Sequence, residues 1–263
     1  IGKNFPVTRG FVADPKLTLG KLTSELSQQM TTEQRHMARQ RSAALGRKKE
    51  QELATEIAQD QLVREEIPLR TSRFMEELAA QLPSDAVIFD EALTCSPELV
   101  RYIPPNVPGQ YYQTRGGSLG VGIPGAIGIK LAHPDKTVIG FTGDGGSMYT
   151  IQALWTAAHH HVDAKFVICN NHSYKLLKLN IQQYWRERGI PEHSFPRSFD
   201  LTTPDIQFAA MARSMGVEAI RVERPDEVAQ AIRRALGHRG PFLIDLVLGS
   251  DVPGHISDCK CGQ

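Results

Sequence analysis

The sequence has few cysteines, no long apolar run and no excess of either charge. Among its 263 residues, 30 lysine and arginine side chains are balanced by 29 acidic ones, so the net charge is only +1. Nucleic acids and anionic membranes attract proteins with a basic excess on one face, and neither partner is expected. No apolar run approaches the roughly 20 residues that cross a bilayer, and no signal-peptide pattern opens the chain. These absences predict a cytoplasmic protein.

The four cysteines are too few and too scattered for a disulfide framework, so reduced thiols are expected. Cys169 lies in an apolar run, where a thiol behaves as a small hydrophobic group. Cys259 and Cys261 stand near the end of the chain and offer only two soft ligands, short of a closed metal site. Residues 251–263 are therefore predicted to form a flexible tail.

Two segments are predicted to precede the main domain. The first has an apolar start that favours a strand, followed by an amphipathic stretch through Leu19, Leu22 and Leu26, and alone it cannot make a core. The second is dense in charges of both signs among strong helix formers, which is typical of a solvated connecting helix. The predicted divisions are the end of a second α/β domain at 1–30, a charged helical linker at 31–67 and the main domain at 68–250.

The main domain alternates between apolar strand patterns and helical patterns. The strand patterns are continuously apolar, which is typical of a parallel sheet covered on both faces. They lie at residues 86–89, 137–141, 165–169, 218–222 and 242–248. Helical patterns lie at about 71–82, capped by Thr71-Ser72, and at about 118–132, 147–161, 204–215 and 225–237. We therefore predict an α/β fold, a parallel sheet with helices on both faces, which binds ligands at the carboxyl ends of its strands.

Two of these strands end in residues suited to a metal ion and a phosphate. The strand at 137–141 runs into a glycine-rich turn that contains Asp144, and the next strand ends in Asn170-Asn171. Asp144 and Asn171 are expected at one edge of the sheet, where a carboxylate and an amide oxygen suit Mg²⁺. Free amides at 145–147, where a helix begins, favour an anion. A glycine turn or an asparagine terminator is common by itself, but the pair predicts a magnesium-diphosphate clamp.

Together, Gly143-Asp144-Gly145 and Asn170-Asn171 resemble the diphosphate-binding motif of thiamine diphosphate enzymes. The likeness continues upstream through Gly117-Ser118-Leu119-Gly120 and Gly109-Gln110-Tyr111-Tyr112 to Asp90-Glu91. Within that superfamily, residues 147–158 look most like benzoylformate decarboxylase, and the first 14 residues resemble the end of the central domain of acetohydroxyacid synthase-like members. The resemblance covers most of the chain and implies thiamine diphosphate and Mg²⁺ as cofactors.

The resemblance also implies a set of residues that bind the cofactor and its metal ion. Asp144, Asn171 and the backbone carbonyl of Ser173 would bind Mg²⁺, while Tyr174 and the amides around Gly145 would hold the diphosphate. The complete implied cofactor-binding set is Thr94, Gly117, Ser118, Leu119, Gly143, Asp144, Gly145, Gly146, Asn171, Ser173 and Tyr174.

Four of the implied positions concern the shape and the anchoring of the cofactor. Gly117 would accept a hydrogen bond from the aminopyrimidine through its carbonyl, and Leu119 would bend the cofactor into its reactive V shape. Leu93 and Thr94 stand where the family places hydroxyl residues near the diphosphate. Thr94 fits this pattern and Leu93 departs from it, so the resemblance leaves one phosphate contact open.

The resemblance places residues 174–180 in the region that lines the substrate pocket, and His172, Leu177 and Asn180 are assigned to that pocket. The side chain of His172 would either contact the substrate or diphosphate or lie on the surface, and the sequence leaves both alternatives open. Leu177 suits an apolar wall. Asn180 stands where benzoylformate decarboxylase would offer an aromatic ring, so the resemblance does not imply an aryl substrate.

The implied reaction is non-oxidative decarboxylation of a 2-oxo acid by a carbon-carbon lyase. Direct loss of CO₂ would leave an acyl carbanion, whose electrons the thiazolium of the cofactor takes up. Two alternatives remain, a carboligase of the acetohydroxyacid synthase type and a non-catalytic cofactor-binding chain. A nicotinamide oxidoreductase is a third, because Gly120–Gly125 spells the dinucleotide fingerprint. That segment contains a proline and follows no clear strand, which favours a helix that packs tightly beside the cofactor.

The activating glutamate of the family belongs to a pyrimidine-binding domain, and nothing in this sequence corresponds to that domain. Glu91 is not favoured as a substitute, because it lies in the diphosphate-binding half. The catalytic residue is therefore unknown from this sequence. An N-terminal pyrimidine-binding domain or a separate chain is expected to complete the site, and the family's shared sites imply a homodimer or homotetramer.

Overall fold

A computed structural model describes residues 2–114, 116–191 and 193–250 of the chain. The chain divides into two compact units, Ile1–Ile57 and Ala58–Gln263. The predicted tail, with Cys259 and Cys261, lies outside the described residues. The other two cysteines, Cys95 and Cys169, are buried free thiols. In the described part of the chain, no helix combines the length and the apolar character that crossing a bilayer requires.

The first unit consists of helix α1 (Pro15–Gln29) and most of helix α2 (Thr32–Leu62), which continues into the second unit. Helix α1 begins where the Asp14 carboxylate accepts a hydrogen bond from the Leu17 amide at 2.8 Å. No residue between 2 and 57 is buried. The strand expected near the start is absent from residues 2–14, so that prediction was wrong. The proposed limits of the linker and domains stay predictions.

The second unit contains one sheet of six parallel strands in the order β2-β1-β3-β4-β6-β5. The strands are β1 (Val87–Glu91), β2 (Tyr111–Gln113), β3 (Val138–Gly143), β4 (Ala164–Asn170), β5 (Glu218–Val222) and β6 (Phe242–Val247). Five of the six follow the predicted apolar runs. Strand β2 was not predicted, because three residues at a sheet edge bury too little apolar surface to leave a pattern.

Eight helices belong to the described part of this unit beyond α2. They are α3 (Thr71–Gln81), α4 (Ser96–Tyr102), α5 (Gly122–Ala132), α6 (Asp144–Ser147), α7 (Ala153–His159), α8 (Lys175–Arg188), α9 (Phe208–Ser214) and α10 (Pro225–Gly237), with 3₁₀ turns at Leu93–Cys95 and Arg197–Phe199. The predicted cap of α3 was wrong. The N-cap position is Arg70, and the Thr71 hydroxyl instead donates to the Cys95 sulfur at 3.4 Å.

Helices cover both faces of the sheet, as predicted. One core joins α3, α4 and α10 to alternate strand residues such as Ile139 and Val167. The other core joins α5, α7 and α9 to the intervening residues, including Val138 and Phe166. Since neighbouring strand residues point to opposite faces, a strand buried on both sides must be apolar throughout. This burial explains the continuous apolar runs in the sequence.

The glycines of α5 allow this helix to lie close to the sheet. A Cβ atom added at Gly140 of β3 would lie 2.6 Å from Cβ of Ala126 and 2.7 Å from the Gly122 carbonyl oxygen. At Gly125, an added Cβ would lie 2.7 Å from the Phe89 ring. The glycine pattern at 120–125 therefore serves close packing of α5 against the sheet. The predicted packing of this helix beside a cofactor stays a prediction.

Candidate functional site

Three polar side chains reach the carboxyl edge of the sheet from neighbouring strands. Glu91 ends β1, Asp144 follows β3, and Asn171 follows β4. The chain passes from β1 to β2 on one side and then to β3 on the other, so β1 and β3 flank the topological switch point. Open parallel sheets bind ligands at this position. The topology thus brings the two predicted motifs to one edge.

Asp144 is a buried carboxylate, and both of its oxygens accept backbone hydrogen bonds. The Gly145 amide donates to Oδ1 at 2.8 Å and the Ser173 amide donates to Oδ2 at 3.1 Å. Asp144 is only 4% exposed. Burial raises the pKa of Asp144 to about 6, although these hydrogen bonds oppose the shift. A cation bound beside Asp144 would offset the free-energy cost of burying its negative charge.

Asn171 supplies the observation that favours a cation most directly. Its side-chain oxygen is buried and has no hydrogen-bond partner in the structure, although buried acceptors are nearly always paired. The carbonyl of the buried Ser173 accepts one hydrogen bond, from the Lys175 amide at 2.8 Å, and keeps a second lone pair. A carboxylate, an amide oxygen and a carbonyl form the oxygen donor set that Mg²⁺ prefers. The residues present therefore fit this ion.

Tyr174 lies against the glycine turn that follows β3. A Cβ atom added at Gly145 would overlap the Tyr174 ring. Glycine at position 145 therefore lets the aromatic ring approach the backbone next to Asp144. The Gly145 amide donates a hydrogen bond to the Asp144 carboxylate in this structure. The implied role of the amides at 145 and 146 in holding a diphosphate stays a prediction.

Glu91 holds the segment that carries Gly117 and Leu119. Its buried carboxylate accepts hydrogen bonds from the Gly120 amide at 2.5 Å and from the Gly122 amide. Burial raises the pKa of Glu91, and the backbone hydrogen bonds oppose that shift. Because both oxygens are engaged by backbone amides, the arrangement supports the interpretation that Glu91 is not the activating glutamate. Its position instead suits a residue that orders the loop.

A cavity of about 470 Å³ lies beside these residues. It is lined by eleven residues of the predicted site, namely Thr94, Gly117, Leu119, Gly143, Asp144, Gly145, Gly146, Asn171, Ser173, Tyr174 and Leu177. It is also lined by Leu93, which was predicted to stand near the diphosphate, by Lys175 and Leu176 of the stretch 174–180, and by Ala92, Tyr149 and Cys169, which were not predicted. Leu93 has a positive φ of 51°, an uncommon conformation for a side chain of this type.

The remaining three predicted residues do not line this cavity. The Nδ1 atom of His172 lies 3.3 Å from an oxygen of Asp205, and its backbone has a positive φ of 54°. Ser118 and Asn180 are exposed. The structure therefore places the His172 imidazole beside Asp205, and the assignments of His172 and Asn180 to the substrate pocket stay predictions.

These further cavity residues stand next to motif residues, and Lys175 and Leu176 also belong to the stretch 174–180 that the resemblance places at the substrate pocket. Tyr149 follows the glycine-rich turn, and Lys175 and Leu176 follow Tyr174. Helix α8, to which the last two belong, was itself missed. Only the fold shows that these side chains border the same space as Asp144.

Comparisons with known proteins identify the domain. The family model "Thiamine pyrophosphate enzyme, C-terminal TPP binding domain" matches residues 93–246. The chain is 36% identical over 176 residues to "Putative acetolactate synthase large subunit IlvX" of Mycobacterium tuberculosis. This match covers 66% of this chain and 33% of that protein. It is 35% identical over 179 residues to benzoylformate decarboxylase of Pseudomonas aeruginosa, which covers 68% of this chain and 32% of the relative.

A solved structure gives the same result for the fold. The chain is similar to the thiamine diphosphate-dependent 4-hydroxybenzoylformate decarboxylase of Rhodococcus jostii RHA1, with a TM-score of 0.62 and 30% identity. The match covers 71% of this chain and 34% of that structure, so this chain spans about a third of the length of the proteins it matches. Since the family model covers more than half of the sequence, the chain belongs to the thiamine pyrophosphate enzymes through their C-terminal TPP-binding domain.

Proposed function

We propose that this chain is the diphosphate-binding part of a lyase that decarboxylates a 2-oxo acid with thiamine diphosphate and Mg²⁺. The observation that carries the proposal is the buried, unpaired oxygen of Asn171, which lines one cavity together with Asp144. The similarity to two decarboxylases supports the direction of the reaction.

Asp144, Asn171 and the Ser173 carbonyl would hold the magnesium ion. An ion there would neutralise part of the diphosphate charge and the charge of the buried Asp144 carboxylate. When bound, the cofactor supplies the electron sink that decarboxylation of a 2-oxo acid requires. The chain's own task is to bind the cofactor, to fix its orientation and to keep water from the reacting carbon.

Gly117 and Leu119 would orient the organic part of the cofactor. Both line the cavity, and the neighbouring Gly120 amide is held by Glu91 at 2.5 Å. Leu119 is 42% exposed, so its side chain is available to a ligand in the cavity. We propose that the Glu91 carboxylate keeps this loop in the conformation that presents the Gly117 carbonyl and the Leu119 side chain.

The cavity wall favours a 2-oxo acid with an apolar substituent. Leu119, Leu176, Leu177 and Tyr149 all line the cavity and are partly exposed. Contact with such side chains removes apolar substrate surface from water, which contributes roughly 25 cal/mol per Å². The wall does not distinguish an aromatic from an aliphatic substituent.

A pyrimidine-binding domain or chain is proposed to complete the site. The chain spans about a third of its relatives, and both oxygens of Glu91 are engaged by backbone amides. An activating glutamate would therefore come from a region outside this sequence. We further propose a homodimer or homotetramer, in which such sites are shared between subunits.

Carboligation is the second candidate, because the identity to the acetolactate synthase-like relative, 36%, equals that to benzoylformate decarboxylase within one percentage point. The two reactions share the decarboxylation step and differ in whether a proton or a second carbonyl compound is then taken up. A non-catalytic chain that retains the fold and the cofactor is the remaining alternative.

Calorimetric titration with thiamine diphosphate, with and without Mg²⁺, tests the cofactor part of the proposal. The native assembly and this chain alone are compared, with Asp144→Ala as the variant that lacks the charged metal ligand. Magnesium-dependent binding that the variant loses is the expected result. Absence of binding in both samples, or unchanged affinity in the variant, would overturn the metal assignment.

Incubation of the native assembly with 2-oxo acids tests the reaction. Release of CO₂ with formation of the corresponding aldehyde supports the lyase. Release of CO₂ with formation of a 2-hydroxy-3-oxo acid would support the carboligase instead. Cofactor binding without CO₂ release from any 2-oxo acid would support the non-catalytic alternative.

A further inference from the structure

Lys175 is the only cationic residue of the described chain that lines the cavity of about 470 Å³ beside Asp144. It is the first residue of α8, two positions after Ser173. Lys175 also lines a second cavity of about 200 Å³, which shares Thr94 and Asn171 with the first. It therefore stands where the two cavities adjoin, beside the candidate metal ligands.

The ammonium group of Lys175 has no hydrogen-bond or ion-pair partner among the described residues, although the residue is half-buried. The other basic residue that lines the second cavity, Arg70, is paired with Glu66 at 2.6 Å. A lysine ammonium that no carboxylate neutralises, on the wall shared by two cavities, is available to bind an anion there.

The charge and the chemistry of the site indicate which anion this is. Mg²⁺ neutralises only part of the charge of a diphosphate, and Asp144 adds another negative charge. A lysine ammonium binds phosphate as a compact point charge and requires no fixed fork geometry.

We propose that Lys175 binds a phosphate group of the cofactor. This inference rests on the proposed function and adds to it a binding residue on α8. The competing explanation is that Lys175 serves Glu98, whose buried Oε2 atom has no partner and which lines the second cavity. In that case Lys175 would stabilise the protein and leave phosphate affinity unchanged.

Magnesium pyrophosphate is the appropriate probe, because the residues that would bind it all lie on this chain. It is titrated calorimetrically into the unchanged chain and into Lys175→Met, Lys175→Gln and Lys175→Arg. Lys178→Met is the control, since Lys178 lies on the same helix over the Phe195 ring, at 5.6 Å, and lines neither cavity. Thiamine diphosphate is titrated into the native assembly in the same way.

We expect the two neutral variants to bind magnesium pyrophosphate about tenfold more weakly or worse, because a charge-assisted contact is lost. Lys175→Arg should retain most of the affinity, and Lys178→Met all of it. The affinity of the unchanged chain should also fall more steeply with added salt than that of Lys175→Met. Thermal unfolding of each variant without ligand shows that it is folded.

Equal affinity of the unchanged chain and a folded neutral variant would overturn this inference alone. A neutral variant with unchanged affinity and lower thermal stability would assign Lys175 to Glu98. If the unchanged chain and the native assembly bind neither magnesium pyrophosphate nor thiamine diphosphate, the proposed function fails together with this inference. The two failures are therefore distinguishable.

Discussion

Replacing Asp144 by asparagine should change the free energy of unfolding in a way that depends on pH. In the metal-free protein, burial raises the pKa of this carboxyl from 3.8 to about 6. Between these two values the folded chain binds more protons than the unfolded chain. The stability contributed by this group is therefore fully present below pH 3.8 and is lost as the pH rises through about 6.

The magnitude follows from the two pKa values. One pKa unit corresponds to about 1.36 kcal/mol, so the burial of this carboxyl lowers the free energy of unfolding by about 1.6 kcal/mol at pH 5 and by about 3 kcal/mol at pH 7.5. Asparagine removes this cost at every pH. It also removes one acceptor, because the amide oxygen can replace only one of the oxygens that accept from Gly145 and Ser173. That loss, about 1–3 kcal/mol, does not depend on pH.

The pH-dependent part is therefore the useful quantity. The stability of Asp144→Asn relative to the unchanged chain should rise by about 1.4 kcal/mol between pH 5 and pH 7.5. Urea denaturation of both proteins in a chelating buffer at several pH values measures this difference. Asp85→Asn, at an exposed turn position, is the control and should show no such trend.

A relative stability that stays constant from pH 5 to pH 7.5, or falls, would refute the conclusion that burial dominates at Asp144. Adding Mg²⁺ and thiamine diphosphate at pH 7.5 should then stabilise the unchanged chain and leave Asp144→Asn unaffected. Equal stabilisation of the two proteins would show that Asp144 is not a ligand of the metal ion.

Three further substitutions test the packing and the loop. Gly140→Ala should destabilise the chain by about 1–3 kcal/mol, because the added methyl group would lie 2.6 Å from Cβ of Ala126 and 2.7 Å from a backbone oxygen. In the same urea assay Gly128→Ala, in α5 with open space around it, should instead raise stability by up to about 1 kcal/mol. Glu91→Gln keeps one acceptor and loses the other, so the amides at 116–125 should exchange hydrogen faster and thiamine diphosphate should bind at least several-fold more weakly. Unchanged exchange and affinity would show that the Glu91 carboxylate does not hold this loop.

The sequence by itself determined the fold class and the edge at which the site lies. The continuous apolar runs around Ile139 and Val167 are required because both faces of those strands are buried. Asp144 and Asn171 follow two such strands directly, and parallel strands end at the same edge. Strand patterns and short motifs are local, so one sequence was enough to predict them.

The tertiary structure decided everything that depends on which segments meet. The short edge strand Tyr111–Gln113 and helix α8 carry weak local patterns and are defined by their neighbours. Three features of the site depend on residues far apart in the chain. They are the unpaired oxygen of Asn171, the hydrogen bond that Glu91 accepts from the Gly120 amide, and the position of Lys175 between two cavities. Burial and pairing belong to the packed molecule, and they determine both the pKa of Asp144 and the place of each charge.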